Sequence, residues 1–243
     1  MRTRPGTFIF NFHGIGKISR PYDPGEAPFW LSQQEFKEAL DAIELKPSDL
    51  QVAITFDDGN VSDLEIAAPE LIRRNIPAAF FALAGRLGQA SFLSKTHLRE
   101  LTDAGFEIGS HGYDHVDWTR LRRRDLEREA CASKAVLEDT IGVAVRRAAI
   151  PFGRYNWRVL RALERAGYTE VLSSDGGPRL SSAWPVPRRS LRDGRAVSSV
   201  SDLLAGGHAV GRRATCEARL VVKASSPMRA PPNGFLGGWM LGR

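Results

Sequence analysis

Two short segments of the chain hold residue types that can do chemistry together: Thr55-Phe56-Asp57-Asp58-Gly59 and His111-Gly112-Tyr113-Asp114-His115. Adjacent carboxylates where an apolar run stops can supply a base and a cation ligand. Neighbours on a strand point to opposite faces, so a turn at Gly59 is needed to bring both to one site. Histidines four apart can bind one metal ion if the segment turns as a helix does. Asp114 between them is placed to orient one imidazole from behind. Either fragment alone is weak, because Asp-Asp-Gly is also a common surface turn. Together, two histidines and an aspartate form a ligand set for a catalytic divalent ion that keeps positions open for water and substrate.

The elements that must position these residues follow from the hydrophobic pattern. Short apolar runs bounded by Gly, Pro or Asp predict strands at Phe8–Phe12, Val52–Phe56, Ala78–Leu83, Phe106–Gly109, Ala148–Ile150 and Thr169–Leu172. Helices fill the gaps. Ser32 with Glu35, and Ser62 with Glu65, read as capping boxes. Further helices are expected at about 94–104, 122–140 (stopped at Gly142) and 157–166 (stopped at Gly167). Six βα units in a row imply an α/β fold, parallel strands with covering helices, in a distorted or incomplete (β/α) barrel. An open doubly wound sheet is the alternative, but the Gly-rich phosphate fingerprint it wants after the first strand is missing. In a β/α barrel the site forms at the C-terminal ends of the strands. His13, Asp57, Asp58, His111, His115 and the Pro151-Phe152-Gly153 segment all fall there. His97 lies on a helix and reads as structural.

Composition narrows the remaining classes. With 243 residues, 42% hydrophobic and 26% charged, the chain is neither fibrous nor wholly disordered. No apolar run approaches the roughly 18 residues of a membrane span, and the N-terminus lacks the features of a signal peptide, so a cytoplasmic location is expected. Cys131 and Cys216 form no metal or disulfide framework, and Cys131 reads as a buried helical thiol. The net charge of +6 is unevenly placed: residues 1–176 carry −2 and residues 177–243 carry +8. No nucleic-acid motif accompanies the basic part, so no nucleic-acid partner is expected. Two parts follow: a catalytic domain over 1–195, and a basic, Gly/Pro-rich segment over 196–243, read as loop-rich or partly disordered, that can touch an anionic membrane or a phosphate-bearing glycan carrier.

The same residues resemble a known family. Thr55–Gly59 is similar to the Thr-Phe-Asp-Asp-Gly motif of the polysaccharide deacetylases, and His111 through His115 to their His-x-x-x-His motif. Ile76–Phe81 resembles the intervening strand, and Pro151–Asn156 the Pro-Phe/Tyr-Gly segment. The likeness runs over roughly residues 8–175 in the family's order. It implies a deformed barrel that removes N-acetyl groups from an amino sugar with a divalent metal, usually zinc. It also implies roles: Asp57 the general base; Asp58, His111 and His115 the metal ligands; Phe152 the residue whose backbone N–H helps hold the oxyanion. The implied partners are N-acetylated glycans or lipid- or nucleotide-linked sugars. Pro151, Trp118 and Tyr155 are candidate substrate contacts, the two aromatics by stacking on sugar rings.

Two departures matter. The arginine that many members carry two residues before the Pro-Tyr/Phe pair is Ala149 here, with Arg146 and Arg147 nearby. The Leu-x-His strand that often supplies the general acid is missing, and His208 lacks its context. His13, in Asn11-Phe12-His13-Gly14, resembles the Tyr-His segment of an exopolysaccharide-modifying branch and is the better candidate acid. Two other readings remain open: hydrolysis of another amide, such as a cyclic imide or ureide, at the same centre, and a non-catalytic glycan-binding relative.

Overall fold

The computed structural model describes residues 6–179 and 184–205. Five strands, β1 (Phe8–Phe12), β2 (Val52–Phe56), β3 (Ala78–Ala82), β4 (Glu107–Ser110) and β6 (Glu170–Ser173), stand within about one residue of their predicted positions, as does the short β5 (Arg147–Ala149). Two more, β7 (Val186–Pro187) and β8 (Arg189–Ser190), carry no pattern long enough to read from sequence. All pair in parallel, in the order β7-β6-β5-β4-β3-β2-β1-β8. The result is a nearly closed barrel with one seam. The seam falls inside one extended stretch: residues 186–187 pair with β6 and residues 189–190 with β1. Arg188 sits between the two half-strands.

Strand alternation sorts the barrel residues into layers. Ile9, Ala53, Ala79, Phe81, Ala149, Leu172 and Val186 form a small buried cluster of their own inside the barrel. Five of these seven are alanine, valine or isoleucine, so Phe81 supplies much of the filling volume. The next residues of the same alternation toward the C-terminal end are Asn11, Thr55 and Arg188, all buried. The interior thus changes from apolar to polar along its axis, and the polar end is where the candidate residues lie.

The larger core lies between strands and helices. Helices α1 (Gln33–Glu44), α2 (Ala68–Arg73), α3 (Lys95–Asp103), α4 (Arg123–Glu127), α5 (Ser133–Ile141) and α6 (Trp157–Arg165) each bury one apolar face there. α4 and α5 are joined by a π-helical turn over Arg128–Ala132. Gly142 ends α5 in the left-handed region.

Several expectations are corrected. Ser32 caps α1 by accepting from Glu35 N, but the Glu35 carboxylate does not close the box. It accepts instead from Gly194 N (3.2 Å) and Ala196 N (3.0 Å) at the start of α7 (Ala196–Ala205). Ser62 caps nothing; its hydroxyl accepts from Ile15 N, and a π-helical turn, Asp63–Ala67, precedes α2. Cys131 is exposed. The first ten residues of the segment read as loop-rich form α7, which packs on α1 and buries Ala196, Val200 and Leu203 in the main core. His208 and Cys216 lie outside the described residues.

Candidate active site

A cavity of about 1150 Å³ opens at the C-terminal end of the barrel, lined by His13, Asp57, Asp58, His111, His115 and Phe152 among others. They arrive from four strand ends: His13 after β1, Asp57 and Asp58 after β2, His111 and His115 after β4, and Phe152 after β5. Asp57 continues β2, its N–H donating to Phe12 O. The chain then leaves extended geometry one residue earlier than the sequence suggests: Asp58 itself has φ 75°, followed by Gly59 at 67°. This double left-handed step swings Asp58 to the same side as Asp57. His115 (φ 55°) and Phe152 (φ 58°) are likewise left-handed. Among the described residues, three of the five non-glycine residues with positive φ are therefore candidate site residues. Such conformations are costly and persist where surrounding structure imposes them.

Asp58, His111 and His115 bring three ligand atoms within 4.8 Å of one another. Asp58 Oδ1 lies 3.4 Å from His111 Nε2 and 3.5 Å from His115 Nε2. These separations are too long for strong hydrogen bonds. They match the roughly 3.3 Å edge of a tetrahedron whose ligands sit about 2.0–2.1 Å from a central ion. Asp58 Oδ1 is also buried without a hydrogen-bond partner, a state that is costly unless a cation faces it. The residues present therefore fit a divalent metal.

Protonation supports the same fit. Burial pushes His111 down to about 3 and His115 to about 4, so both imidazoles are neutral near pH 7 and keep a lone pair for a metal. His111 Nδ1 is 2.9 Å from Ala149 O. A carbonyl can only accept, so Nδ1 carries the proton and Nε2 is the ligand atom. Burial raises Asp58 to about 6, with the charge of Asp57 adding to it.

Asp57 is set apart by Arg188. The guanidinium donates from Nη1 to Oδ1 (2.8 Å) and from Nη2 to Oδ2 (2.7 Å), and Asn11 Nδ2 donates to Oδ2 (2.9 Å). Arg188 is fully buried and also donates to Asn11 Oδ1 (2.8 Å) and Thr55 Oγ1 (3.1 Å). Burial alone would push the Asp57 carboxyl up. The charge of Arg188, then His111 and the Arg188 hydrogen bonds, override it and hold the group well below the usual range. The cation that the family pattern places near Ala149 comes instead from Arg188 at the seam of the barrel, 131 residues from Asp57 and beyond the reach of any local pattern.

The other sequence candidates divide. His13 lines the cavity, its ring 4.9 Å from that of Phe29 and its Nδ1 buried without a partner. Phe152 is 49% exposed and stacks on His115 at 4.5 Å. Trp118 does not reach the cavity: it is 0% exposed, and its indole N–H donates to Glu129. Tyr155 is 3% exposed, with its hydroxyl donating to Asp175 (2.9 Å), and Pro151 is buried. Fully covered rings cannot stack on a sugar, so both aromatics are framework residues, Tyr155 holding the cavity-lining Asp175 from behind. Asp114 points away and pairs with Arg128, so it does not orient an imidazole. His97 caps α3, as expected of a structural histidine.

Glu129 was invisible in sequence. This buried carboxylate, in the π-helical turn, accepts from Tyr113 N (2.7 Å), Asp114 N (3.1 Å) and Trp118 Nε1 (3.2 Å). It fixes the loop between the two histidines. Gly112 (φ 91°) lets it approach: a Cβ there would fall 2.7 Å from Glu129 Oε2. Glu129→Gln keeps the shape but turns a donor toward backbone N–H groups. We expect it to destabilise the protein by about 1–3 kcal/mol and to weaken metal binding about 10- to 100-fold. Thermal melts and metal titrations check this.

Comparison with known proteins gives a consistent picture. A family model described as polysaccharide deacetylase matches residues 45–171, just over half of the chain. YxkH of Bacillus subtilis, which carries that family's name, is 29% identical over 154 residues, 63% of this chain and 52% of that protein. The peptidoglycan-N-acetylglucosamine deacetylase PgdA of Listeria monocytogenes is 28% identical over 45% of this chain and 23% of its own length. The chain thus spans about half, or less, of these relatives. A chitooligosaccharide deacetylase of Azorhizobium caulinodans is 26% identical over 60% of this chain and 67% of its own. Among solved structures, IcaB from Ammonifex degensii superposes with a TM-score of 0.71 at 24% identity, covering 85% of this chain and 98% of that one. The Streptococcus pyogenes deacetylase PplD superposes with a TM-score of 0.70 at 19% identity, covering 81% and 97%. The structural likenesses show the same barrel.

Proposed function

The chain belongs to the polysaccharide deacetylase family, and from that premise we propose that it is a metal-dependent hydrolase removing N-acetyl groups from an amino sugar in a glycan. The observation that carries the reading is one open cavity in which a buried Asp57–Arg188 pair stands beside the Asp58, His111 and His115 triad. Asp58, His111 and His115 would hold the ion, and their chemistry suits zinc. When bound, it supplies the Lewis acidity that polarises the acetamide carbonyl and acidifies the attacking water, so that even a weakly basic carboxylate can take the proton.

The chain's own residues do the rest. Arg188 and Asn11 keep Asp57 ionised and aimed, so its oxygen can accept a proton from water as that water attacks. Phe152, held left-handed in its tight turn, would present its backbone N–H to the oxyanion. His13, with its ring against Phe29, would give the departing amine its proton. Arg188 also answers the reading of a decayed, non-catalytic relative, because the cation missing at Ala149 is supplied from elsewhere. The substrate pool is N-acetylated glycans and lipid- or nucleotide-linked sugars in the cytoplasm, with the basic C-terminal residues as a peripheral membrane contact. Among the described residues no helix is long and apolar enough to cross a membrane.

The test is acetate release from N-acetylglucosamine oligomers, with and without chelator. Wild-type protein should release acetate only with a divalent metal. Asp57→Asn should bind the metal and lose about 10²- to 10⁴-fold in kcat. A fully active Asp57→Asn protein, or hydrolysis of cyclic imides with inert N-acetyl sugars, would remove the proposal.

A further inference from the structure

The cavity is larger than one sugar needs, since pockets of about 300–1,000 Å³ already bury drug-sized ligands. Five arginines line it: Arg86, Arg154, Arg188, Arg189 and Arg192. Three are neutralised where they stand. Arg188 is paired with Asp57, Arg86 with Asp23, and Arg154 with Asp117 at 3.0 Å. Apart from Asp58 of the candidate ligand triad, the acidic residues of the lining are also engaged: Glu26 with Arg20, and Asp175 as acceptor from Tyr155 and Ser173. Arg189 and Arg192 are different. Neither has a carboxylate partner among the described residues.

These two are nevertheless held in place. Arg189 lies over Gly176, its Nε 3.8 Å from where a Cβ would stand on that residue. Arg192 lies on the face of Phe29, its guanidinium carbon 4.8 Å from the ring centroid, and the same ring neighbours that of His13. An aromatic face orients a guanidinium without cancelling its charge. Both side chains belong to the stretch that closes the barrel at β8, directly after Arg188. The wall beside the candidate base and acid is therefore positive and preorganised.

A neutral N-acetylhexosamine chain offers such a wall hydroxyl and carbonyl acceptors but no charge to match it. A planar guanidinium fork matches the two oxygens of a phosphate or carboxylate. From this pairing we infer that Arg189 and Arg192 form an oxyanion subsite, and that the sugar processed here carries a phosphate or carboxylate beside its N-acetyl group. The inference rests on the deacetylase reading for the sugar but not for the anion.

The test uses the full chain loaded with zinc and three oligosaccharides. One is an unmodified N-acetylglucosamine trisaccharide. The second carries a 6-phosphate on its terminal residue. The third has glucuronate beside N-acetylglucosamine. Binding is read by calorimetry, and acetate release is followed in parallel. At least one anionic probe should bind about tenfold tighter than the neutral one. The ratio should fall to about one in the Arg189→Gln/Arg192→Gln double variant, and in wild type it should shrink as salt rises. Which anionic probe wins tells a phosphate-bearing sugar from an acidic one. A melting midpoint equal to wild type confirms that the variant is folded, as both residues are exposed. Equal binding of all three probes, no binding of either anionic probe, or a preference that survives in the double variant would overturn the subsite. An arginine-dependent preference with no acetate released from any probe would instead overturn the deacetylase reading and leave the subsite standing.

Discussion

Arg188→Met is expected to reduce acetate release about 10²- to 10⁴-fold and to destabilise the protein by about 3–5 kcal/mol. Asp57 and Arg188 form a buried ion pair with two parallel hydrogen bonds. Removing one partner of such a pair leaves the other charge uncompensated in a low-dielectric site, which costs more than the pair contributes. Here the abandoned group is Asp57, with the carboxyl of Asp58 next in sequence. Burial already acts to raise the Asp57 carboxyl, and Arg188 is the largest influence opposing it, with the Asn11 hydrogen bond beside it. Without the guanidinium the group should take up a proton and cease to be a base. Thr55 Oγ1 and Asn11 Oδ1 would lose a donor in the same step. Arg188→Lys separates the two contributions: it restores a charge but cannot make two parallel bonds, so stability should recover more than kcat. Urea melts and acetate-release kinetics on the three proteins check this. A methionine variant with wild-type kcat would show that the ion pair does not serve the reaction.

Asp58→Asn is expected to move two measurements in opposite directions. In metal-free protein it removes a buried carboxyl whose Oδ1 has no hydrogen-bond partner and whose ionised form is opposed by burial and by Asp57. Asparagine tolerates the left-handed backbone at this position (φ 75°) about as well as aspartate does. The metal-free variant should therefore melt at or above the wild-type midpoint. With metal the order should reverse. An ion present at a hundred times its Kd stabilises the native state by about 2.7 kcal/mol. A neutral amide oxygen in place of a carboxylate should remove most of that gain and the activity with it. Melting curves with chelator and with added zinc give both arms. A metal-dependent shift as large in Asp58→Asn as in wild type would take Asp58 out of the ligand set.

Much of this protein is determined by local sequence. Apolar runs of three to six residues bounded by Gly, Pro or Asp are too short for helices and read as buried strands, and several of the helices between them carry their own caps and stops. Because side chains alternate along a strand, residues such as Asp57 and His111 at strand ends had to collect at one end of a parallel barrel. The candidate residues could be gathered for that reason, and the family resemblance then implied which of them is the base and which are ligands. What lay beyond reach depends on contacts distant in sequence. β7 and β8 have two residues each, too few to show a period, and exist because β6 and β1 offer edges on either side of a seam. Arg188 is a functional residue only because that seam turns it inward. Trp118 and Tyr155 look like sugar platforms as sequence, yet burial makes them framework, because whether a ring faces a cavity or a neighbouring helix is decided by packing. Glu35 and Glu129 read as ordinary helix carboxylates, but one caps a helix about 160 residues away and the other clamps the histidine loop. Local sequence determined which chemistry is present. The closing of the barrel decided which residues face it, because that choice depends on which distant strand edges meet.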